Sequence, residues 1–255
     1  MTKCRAAHAG DRDGRRGKRG AYVVPAWLAL AAGLCHAGTA ASSWSGAVAL
    51  GSQLVDRGMA VGPATPTLQG AVYWTPSGEW SLGASAGAEL RSPGRIVQTS
   101  LDAARYWPVT QNWRMQASLV YYRYPASAGA WRGARTEAGI GWTYRDILTL
   151  GVSAFRVNGG ENHRLHGAAD LDLRWPLAGH LAFSAGLGIA KSQAALYGEE
   201  DYAHAGRYYY GHAGLLWSRR RWTVELQRIA SGGRAPRPWD VPDVEPWVAT
   251  LSLAF

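Results

Sequence analysis

The chain closes on the stretch Pro246-Trp-Val-Ala-Thr-Leu-Ser-Leu-Ala-Phe255, which has the pattern of a β-strand. Side chains of an extended strand point alternately to its two faces. One face of this stretch would carry Trp247, Ala249, Leu251, Leu253 and Phe255. The other face would carry smaller or more polar residues, among them Thr250 and Ser252. The C-terminal stretch therefore predicts a strand with one apolar face that ends on an aromatic residue.

The N-terminus has the pattern of a secretory signal peptide. Residues 1–20 carry seven basic and two acidic side chains, residues 21–34 form a largely apolar run of 14, and residues 37–41 are small. This order of regions is typical of a signal peptide, and the apolar run is shorter than the ~20 residues of a transmembrane helix. We predict cleavage after Ala40 or Ala41, with Ala37 as a further possibility. Residues 1–40 would then be the signal peptide and residues 41–255 the mature domain.

Removing residues 1–40 changes the composition of the chain. Cys4 and Cys35 leave with the signal peptide, so the mature domain would hold no disulfide and no cysteine-ligated metal. The net charge of +9 falls to about +4, which gives no reason to expect a nucleic-acid partner. The whole chain has thirteen Trp and twelve Tyr against three Phe, a composition that suits a protein that crosses two membrane–water interfaces.

A hairpin-like unit recurs along the mature domain: an aromatic residue, a short turn, a bulky residue and an alternating strand. Five such turns, with a first and a last strand, predict twelve strands at 44–56, 67–74, 80–90, 96–107, 113–124, 133–144, 147–157, 165–175, 180–190, 207–217, 221–230 and 246–255. The tight turns alternate with longer links. Because outer-membrane barrels have short periplasmic turns and longer extracellular loops, we expect the first link, 57–66, on the extracellular side.

Most of the predicted strands have one apolar and one polar face. A sheet that spans a bilayer must close on itself, because the bilayer offers no water to unpaired backbone groups. Its outer face must be apolar, while its lumen can be polar. Together with the signal peptide and the terminal Phe255, which resembles the signal read by the barrel-assembly machinery, this predicts the fold class. We expect an all-β, closed antiparallel transmembrane β-barrel of about twelve strands in the bacterial outer membrane.

Two stretches near the start of the mature domain resemble a known family. Trp44-Ser-Gly-Ala-Val-Ala-Leu-Gly-Ser-Gln-Leu-Val-Asp-Arg-Gly58 is followed by Pro66-Thr-Leu-Gln-Gly-Ala-Val-Tyr73. The resemblance rests on Ser52, Arg57-Gly58 and Pro66-x-Leu68-Gln69-Gly70, and it is to the proteobacterial conserved-hypothetical outer-membrane β-barrel family Gcw_chp. It implies a barrel over the whole mature domain and an outer-membrane location. The family has no established activity, so the resemblance implies no substrate.

Charged residues on the polar face are the candidate pore-lining residues. They are Glu89, Arg114, Glu137, Arg145, Asp170, Asp172, Arg174 and Glu225. The acids could line an open pore and set its ion or solute preference. They could instead pair with the three arginines as salt bridges that fill the barrel, since an unpaired buried charge is costly. The sequence leaves both interpretations open.

Arginines near the predicted extracellular rim are candidates for contact with lipopolysaccharide. The set is Arg95, Arg132, Arg135 and Arg207, with Arg57 and others in the links. Arginine pairs with phosphate in a forked geometry, which makes outer-membrane lipids and lipopolysaccharide the expected partners. Ordinary loop solubility explains the same residues. The acidic link residues 198–204 lack the spacing of a recognised cation loop, so we predict no metal and no cofactor.

Three functions remain open from the sequence. A narrow passive channel for small solutes or ions is the main hypothesis. A structural or surface-interaction barrel without transport is the alternative. An outer-membrane lipid-modifying enzyme is a third hypothesis, but no Gly-x-Ser-x-Gly occurs and no spacing brings Ser, His and an acid together. We therefore predict no catalytic residues.

Overall fold

The computed structural model describes residues 42–91, 95–125, 133–158, 165–191, 206–233 and 243–255. The predicted signal peptide and the acidic link residues 198–204 lie outside the described residues. The part of the chain that is described contains strands, turns and bends, and no helix in it is long and apolar enough to cross a membrane.

Twelve long strands form one closed antiparallel barrel, and two short strands form a separate hairpin. The barrel strands are β1 (Ser43–Gly51), β4 (Thr67–Ser77), β5 (Trp80–Glu89), β6 (Ile96–Pro108), β7 (Trp113–Tyr124), β8 (Gly133–Tyr144), β9 (Leu148–Asn158), β10 (His166–Ala178), β11 (Leu181–Lys191), β12 (Arg207–Arg219), β13 (Trp222–Gly233) and β14 (Trp247–Ala254). The hairpin strands are β2 (Val55–Asp56) and β3 (Met59–Ala60). Each barrel strand pairs with its neighbours along the chain, which confirms the predicted class and strand number.

The C-terminal strand closes the barrel against the first strand. Leu50 of β1 lies opposite Leu251 of β14, and Ala47 lies opposite Ala254. At the end of the seam, the backbone N–H groups of Gly46 and Phe255 each donate to the other's carbonyl at 2.9 Å. The ring of Phe255 lies over Gly46, where an added Cβ would stand 2.7 Å from ring carbons. The closing role predicted for the terminal stretch is confirmed.

The apolar face of the strands points outward. Leu101 is 62 % exposed and Leu187 is 67 % exposed, although a soluble protein would bury such side chains. Aromatic residues flank the short turns on this outer face: Trp44 stacks on Trp74 with ring centroids 6.2 Å apart. We call the end with the short turns the turn end, and the opposite end the loop end. This outer surface suits a bilayer, because lipid replaces the missing apolar partner.

The first predicted strand is too long. We expected residues 44–56 to be one strand, but β1 ends at Gly51 and residues 55–56 belong to the small hairpin. The reason is that residues 52–66 leave the wall and enter the lumen, where Gln53, Leu54 and Asp56 are buried. The prediction that the first link is an extracellular loop is therefore wrong, because the link folds into the lumen.

We expect Gly46→Val to weaken barrel closure. The larger side chain would meet the Phe255 ring and the backbone oxygen of Ala71, which stands 2.9 Å from the position of an added Cβ. Gly70→Val is the matched control, because Gly70 is an outer-face glycine of the neighbouring strand with open space around it. Heat-modifiable gel migration measures the effect: Gly46→Val should lose its folded mobility at a lower temperature than wild type. Equal melting of both variants would contradict this role of Phe255.

Candidate functional site

A segment folded into the lumen is the most distinctive feature of the barrel. Residues 52–66, which we call the lumen loop, connect β1 and β4 at the loop end. Val61 is 0 % exposed, and Leu54 and Ala60 are also buried. The hairpin of β2 and β3 forms the centre of the loop, so part of its backbone hydrogen bonding is satisfied within the loop. The lumen is therefore not an empty passage at this depth.

A tight two-residue turn forms the tip of the lumen loop. Arg57 and Gly58 have φ angles of 50° and 67°, the left-handed pair that a type I′ hairpin turn requires. Glycine suits the second position for two reasons. It adopts the left-handed conformation at no steric cost, and a Cβ there would stand 2.6 Å from Cβ of Tyr210. A left-handed conformation is costly for arginine, so its surroundings must hold Arg57 in place.

Arg57 is held by the wall of the barrel on one side. Its guanidinium donates to a carboxylate oxygen of Glu137 on β8 and to Oγ of Ser153 on β9, the latter at 3.0 Å. Asp170 on β10 lies 3.9 Å from the same nitrogen. The guanidinium also stands over the ring of Phe155, 5.4 Å from its centroid. These contacts span three neighbouring strands, so they fix the tip of the loop against the wall.

Arg135 of β8 links the loop to the same group of charges. Its guanidinium lies 2.9 Å from Asp56 and 3.4 Å from Glu137. It also covers the ring of Tyr122 at 4.3 Å from the centroid. Asp56, Arg57, Arg135, Glu137 and Asp170 thus form one alternating cluster, which we call the latch. Because each buried charge has an opposite charge beside it, the latch offsets the cost of taking these groups out of water.

The two latch residues in the loop have shifted pKa values. Burial raises the pKa of Asp56 above its ordinary value, while the charges of Arg135 and Arg57 oppose this rise. For Arg57, burial lowers the pKa and the Glu137 carboxylate raises it, and the net direction is upward. Arg57 is therefore charged at neutral pH.

Apolar contacts with β6, β7 and β9 support the latch. Leu54 and Val61 of the lumen loop belong to a buried cluster with Val97, Tyr122, Tyr124 and Val157. On the other side of the tip, Met59 packs against both this cluster and a second one that contains Phe155 and Tyr208. The loop therefore contacts strands around much of the barrel circumference.

The start of the lumen loop is bonded to the end of the chain. The amide of Gln53 donates to the backbone oxygen of Asp243 at 2.9 Å, and its carbonyl accepts from the backbone N–H of Glu245 at 2.8 Å. Ser52 accepts from the backbone N–H of Ala249 through its Oγ at 3.1 Å. The loop is thus anchored next to the strand that closes the barrel.

Predicted pore-lining residues fall into two levels of the lumen. Glu137 and Asp170 belong to the latch, and Glu89 lies beside Gly62 of the lumen loop with Arg95 at 3.8 Å. Asp172, Arg174 and Glu225 lie nearer the turn end, on the inner face of β10 and β13. Arg174 interacts electrostatically with both of these acids.

The other two predicted pore-lining arginines contact residues of the turns. Arg114 is on the inner face of β7, but its guanidinium lies 2.9 Å from Asp146 of a turn. Arg145 is not in the lumen: it occupies that turn with a φ of 49° and donates to Asn112 at 2.9 Å. Residue 145 would face the lumen only if β8 continued to it. The strand ends at Tyr144 instead, because the chain turns at residues 145–146.

One of the predicted lipopolysaccharide contacts is wrong. Arg135 is 0 % exposed and points into the lumen, because at that position β8 has already entered the barrel wall. Arg57 is likewise buried rather than at the rim. Arg95 and Arg207 lie at the loop end, and Arg132 lies outside the described residues.

The latch was not predicted from the sequence as a site. Val55-Asp-Arg-Gly-Met-Ala60 has apolar positions flanking an X-Gly pair, which is a hairpin signal that could have revealed β2 and β3. No local pattern shows that this hairpin turns inward. Within the described ranges, no group of three His, Cys, Asp or Glu side chains is placed to hold a metal ion.

Comparisons with known proteins identify the fold. The NanC porin superposes with a TM-score of 0.53 at 8% identity, over 84% of this chain and 99% of the porin chain. The KdgM porin superposes with a TM-score of 0.50 at 6% identity, over 83% and 98%. No family model and no curated protein matches the chain, so the resemblance to the Gcw_chp family stays a prediction. At these identities the likeness shows the fold alone, which is a closed antiparallel β-barrel.

We expect Arg57→Ala to free the lumen loop without unfolding the barrel, because Glu137 keeps Arg135 as its partner. The reporter is Val61→Cys in a Cys4→Ser, Cys35→Ser background, labelled with a water-soluble maleimide. Labelling should be slow in the parent and clearly faster after Arg57→Ala. Arg114→Ala, which removes an arginine at the turn end, is the control and should leave the rate unchanged. Fast labelling of the parent would show that the loop is not seated in the lumen.

Proposed function

We propose that the chain is an outer-membrane protein that forms a narrow passive channel for small solutes or ions. The observation that carries the proposal is a charged lumen enclosed by an apolar outer wall, with a loop held across it by the latch. A sheet with this outer surface suits a bilayer, and a polar lumen suits water-filled passage. The likeness of the fold to the NanC and KdgM porins supports both the location and the channel.

The lumen loop would set the width of the channel. Twelve strands ~4.8 Å apart and tilted ~40° enclose a backbone radius of roughly 12 Å, much of which side chains occupy. At the loop end the lumen loop takes up part of the remaining space. Toward the turn end the inner face carries small residues such as Gly139, Gly141 and Gly151, which leave more room. The narrow zone would therefore lie at the level of the latch.

Lumen charge favours cations. The described lumen side chains and the lumen loop together present more carboxylates than guanidinium groups. The acids are Asp56, Glu89, Asp102, Glu137, Asp170, Asp172 and Glu225, and the bases are Arg57, Arg114, Arg135 and Arg174. Within the latch the two signs nearly cancel. Nearer the turn end the acids prevail, so this part of the lumen would attract cations and repel anions.

A barrel without transport is the second candidate, and the contacts of the lumen loop favour it. The loop touches the wall through Val97 on β6, Glu137 on β8 and Tyr210 on β12, which is the arrangement expected of a plug. Water can replace charged contacts more easily than it can enter a sealed apolar core. We therefore prefer the narrow channel to the plugged barrel. Neither candidate assigns a catalytic activity to the chain.

We expect small single-channel steps from the purified barrel in planar bilayers, and larger steps after Arg57→Ala. The substitution removes the guanidinium that holds the loop tip to β8, β9 and β10. Arg105→Ala, which removes an arginine of the outer face, should leave the step size at the wild-type value. If neither wild type nor Arg57→Ala conducts, the barrel is not a channel. Steps only in Arg57→Ala would identify the wild-type barrel as plugged.

We expect a preference for potassium over chloride in a potassium chloride gradient. The combined substitution Asp172→Asn and Glu225→Gln removes two lumen acids away from the latch, so the reversal potential should move toward the chloride side. Glu79→Gln is the control, because this acid lies on a turn, 3.3 Å from Arg105 on the outer face. An anion preference in wild type would contradict the assignment of the lumen charges.

A further inference from the structure

The outer face of the barrel carries a basic belt at the loop end. We define the belt as Arg123 on β7, Arg156 on β9, Lys191 on β11 and Arg207 on β12. Each of these residues falls on the outward-facing side of the alternation in its strand. Each also lies at or near the loop end of that strand. Tyr121 and Tyr209, both exposed on the outer face, lie one outward position closer to the turn end than Arg123 and Arg207. Tyrosine favours membrane–water interfaces, so the belt lies at the edge of the apolar band.

Two members of the belt lie directly opposite each other. Lys191 of β11 and Arg207 of β12 are cross-strand partners on the outer face. Like charges in this position destabilise a sheet. No ion pair joins a belt residue to a carboxylate in the described part of the chain. The link 192–205, which carries Glu199, Glu200 and Asp201, lies outside the described residues.

An outward arginine near the turn end has a different environment. Arg105 lies 3.3 Å from Glu79 and stands over the rings of Trp80 and Trp107, at 5.5 and 5.1 Å from their centroids. The protein itself supplies a counter-charge to this side chain. Cationic side chains on the outer face therefore differ in their counter-charge. At the turn end the chain supplies a carboxylate to Arg105, and along the described belt it supplies none.

We propose that the basic belt binds the phosphates of a phosphorylated glycolipid of the lipopolysaccharide type. Lipid phosphates lie at the border of the apolar band, which is the height of the belt. Neighbouring strands are ~4.8 Å apart, so Lys191 and Arg207 can share one phosphate between them. Arg156 lies two strands from Lys191 and two residues nearer the loop end, about 12 Å away, and can hold a second phosphate. Arginine forks suit phosphate oxygens, and the bound anion would relieve the repulsion between Lys191 and Arg207.

This inference uses the outer-membrane location but not the channel activity. Of the rim arginines predicted from the sequence, only Arg207 belongs to the basic belt. Arg135 belongs to the latch, and Arg95 has Glu89 as its partner. The belt residues were not recognisable as a group from the sequence, because they lie on four strands and only the register brings Lys191 and Arg207 to the same height.

Native mass spectrometry of the detergent-purified barrel tests the proposal. The probes are bisphosphoryl lipid A, monophosphoryl lipid A and phosphatidylethanolamine. Each basic residue near an anionic lipid surface contributes about fivefold in affinity, so Lys191→Gln with Arg207→Gln should weaken lipid A binding about 25-fold. Arg105→Gln is the matched control and should bind as wild type does. Heat-modifiable migration confirms that each variant is folded.

The outcomes separate clearly. Preference of wild type for bisphosphoryl lipid A, lost in the double variant and kept in Arg105→Gln, supports the proposal. Equal binding of lipid A and phosphatidylethanolamine, or equal binding by wild type and double variant, overturns it. A third variant, Glu199→Gln with Glu200→Gln and Asp201→Asn, tests the chain's own link as counter-ion. If lipid A binds only to this variant, the belt is neutralised by the link and the proposal fails. Conductance is measured separately, so loss of one activity does not decide the other.

Discussion

The requirement that every backbone group of a spanning sheet be hydrogen-bonded governs this molecule. In an apolar bilayer an open sheet edge has no water to bond, so the strands must close. The seam between β1 and β14 meets this requirement, and it ends where Phe255 packs over Gly46. Once the wall is closed, its outer face must be apolar and its inner face is left for polar residues. The lumen loop, the latch and the basic belt all depend on this division.

Inside the wall, a cluster of paired charges lies beside two buried apolar clusters. The latch holds the lumen loop through alternating charges that lie on β8, β10 and the loop. Removing one member leaves its buried partners with fewer counter-charges, which is costly. Apolar contacts around Val61 also stabilise the lumen loop in its position, but unlike ion pairs they do not fix its orientation. The loop is therefore positioned by a small number of directional contacts, so single substitutions can test its role.

The sequence predicts the wall much better than the lumen. Strand alternation, turn length and aromatic flanks are local signals, and most strand bounds agree with the structure within a few residues. The extra length given to the first strand came from treating Gln53 to Asp56 as a continuation of the alternation. Whether a hairpin turns inward or outward depends on partners such as Glu137, which is 80 residues from Arg57. Local patterns carry no information about such contacts, so Arg135 was placed at the rim and Arg57 outside the barrel.

The anchoring of Gln53 has a consequence for the order of assembly. Its bonds reach Asp243 and Glu245, which are 190 and 192 residues away along the chain and adjoin the last strand. Arg57 likewise needs Glu137 and Asp170, whose strands follow it in synthesis. The loop is thus made among the first residues of the barrel, yet its binding site is complete only when the last strand has joined. Its docking marks the end of assembly, and a barrel that stalls before closure would expose the loop to proteases.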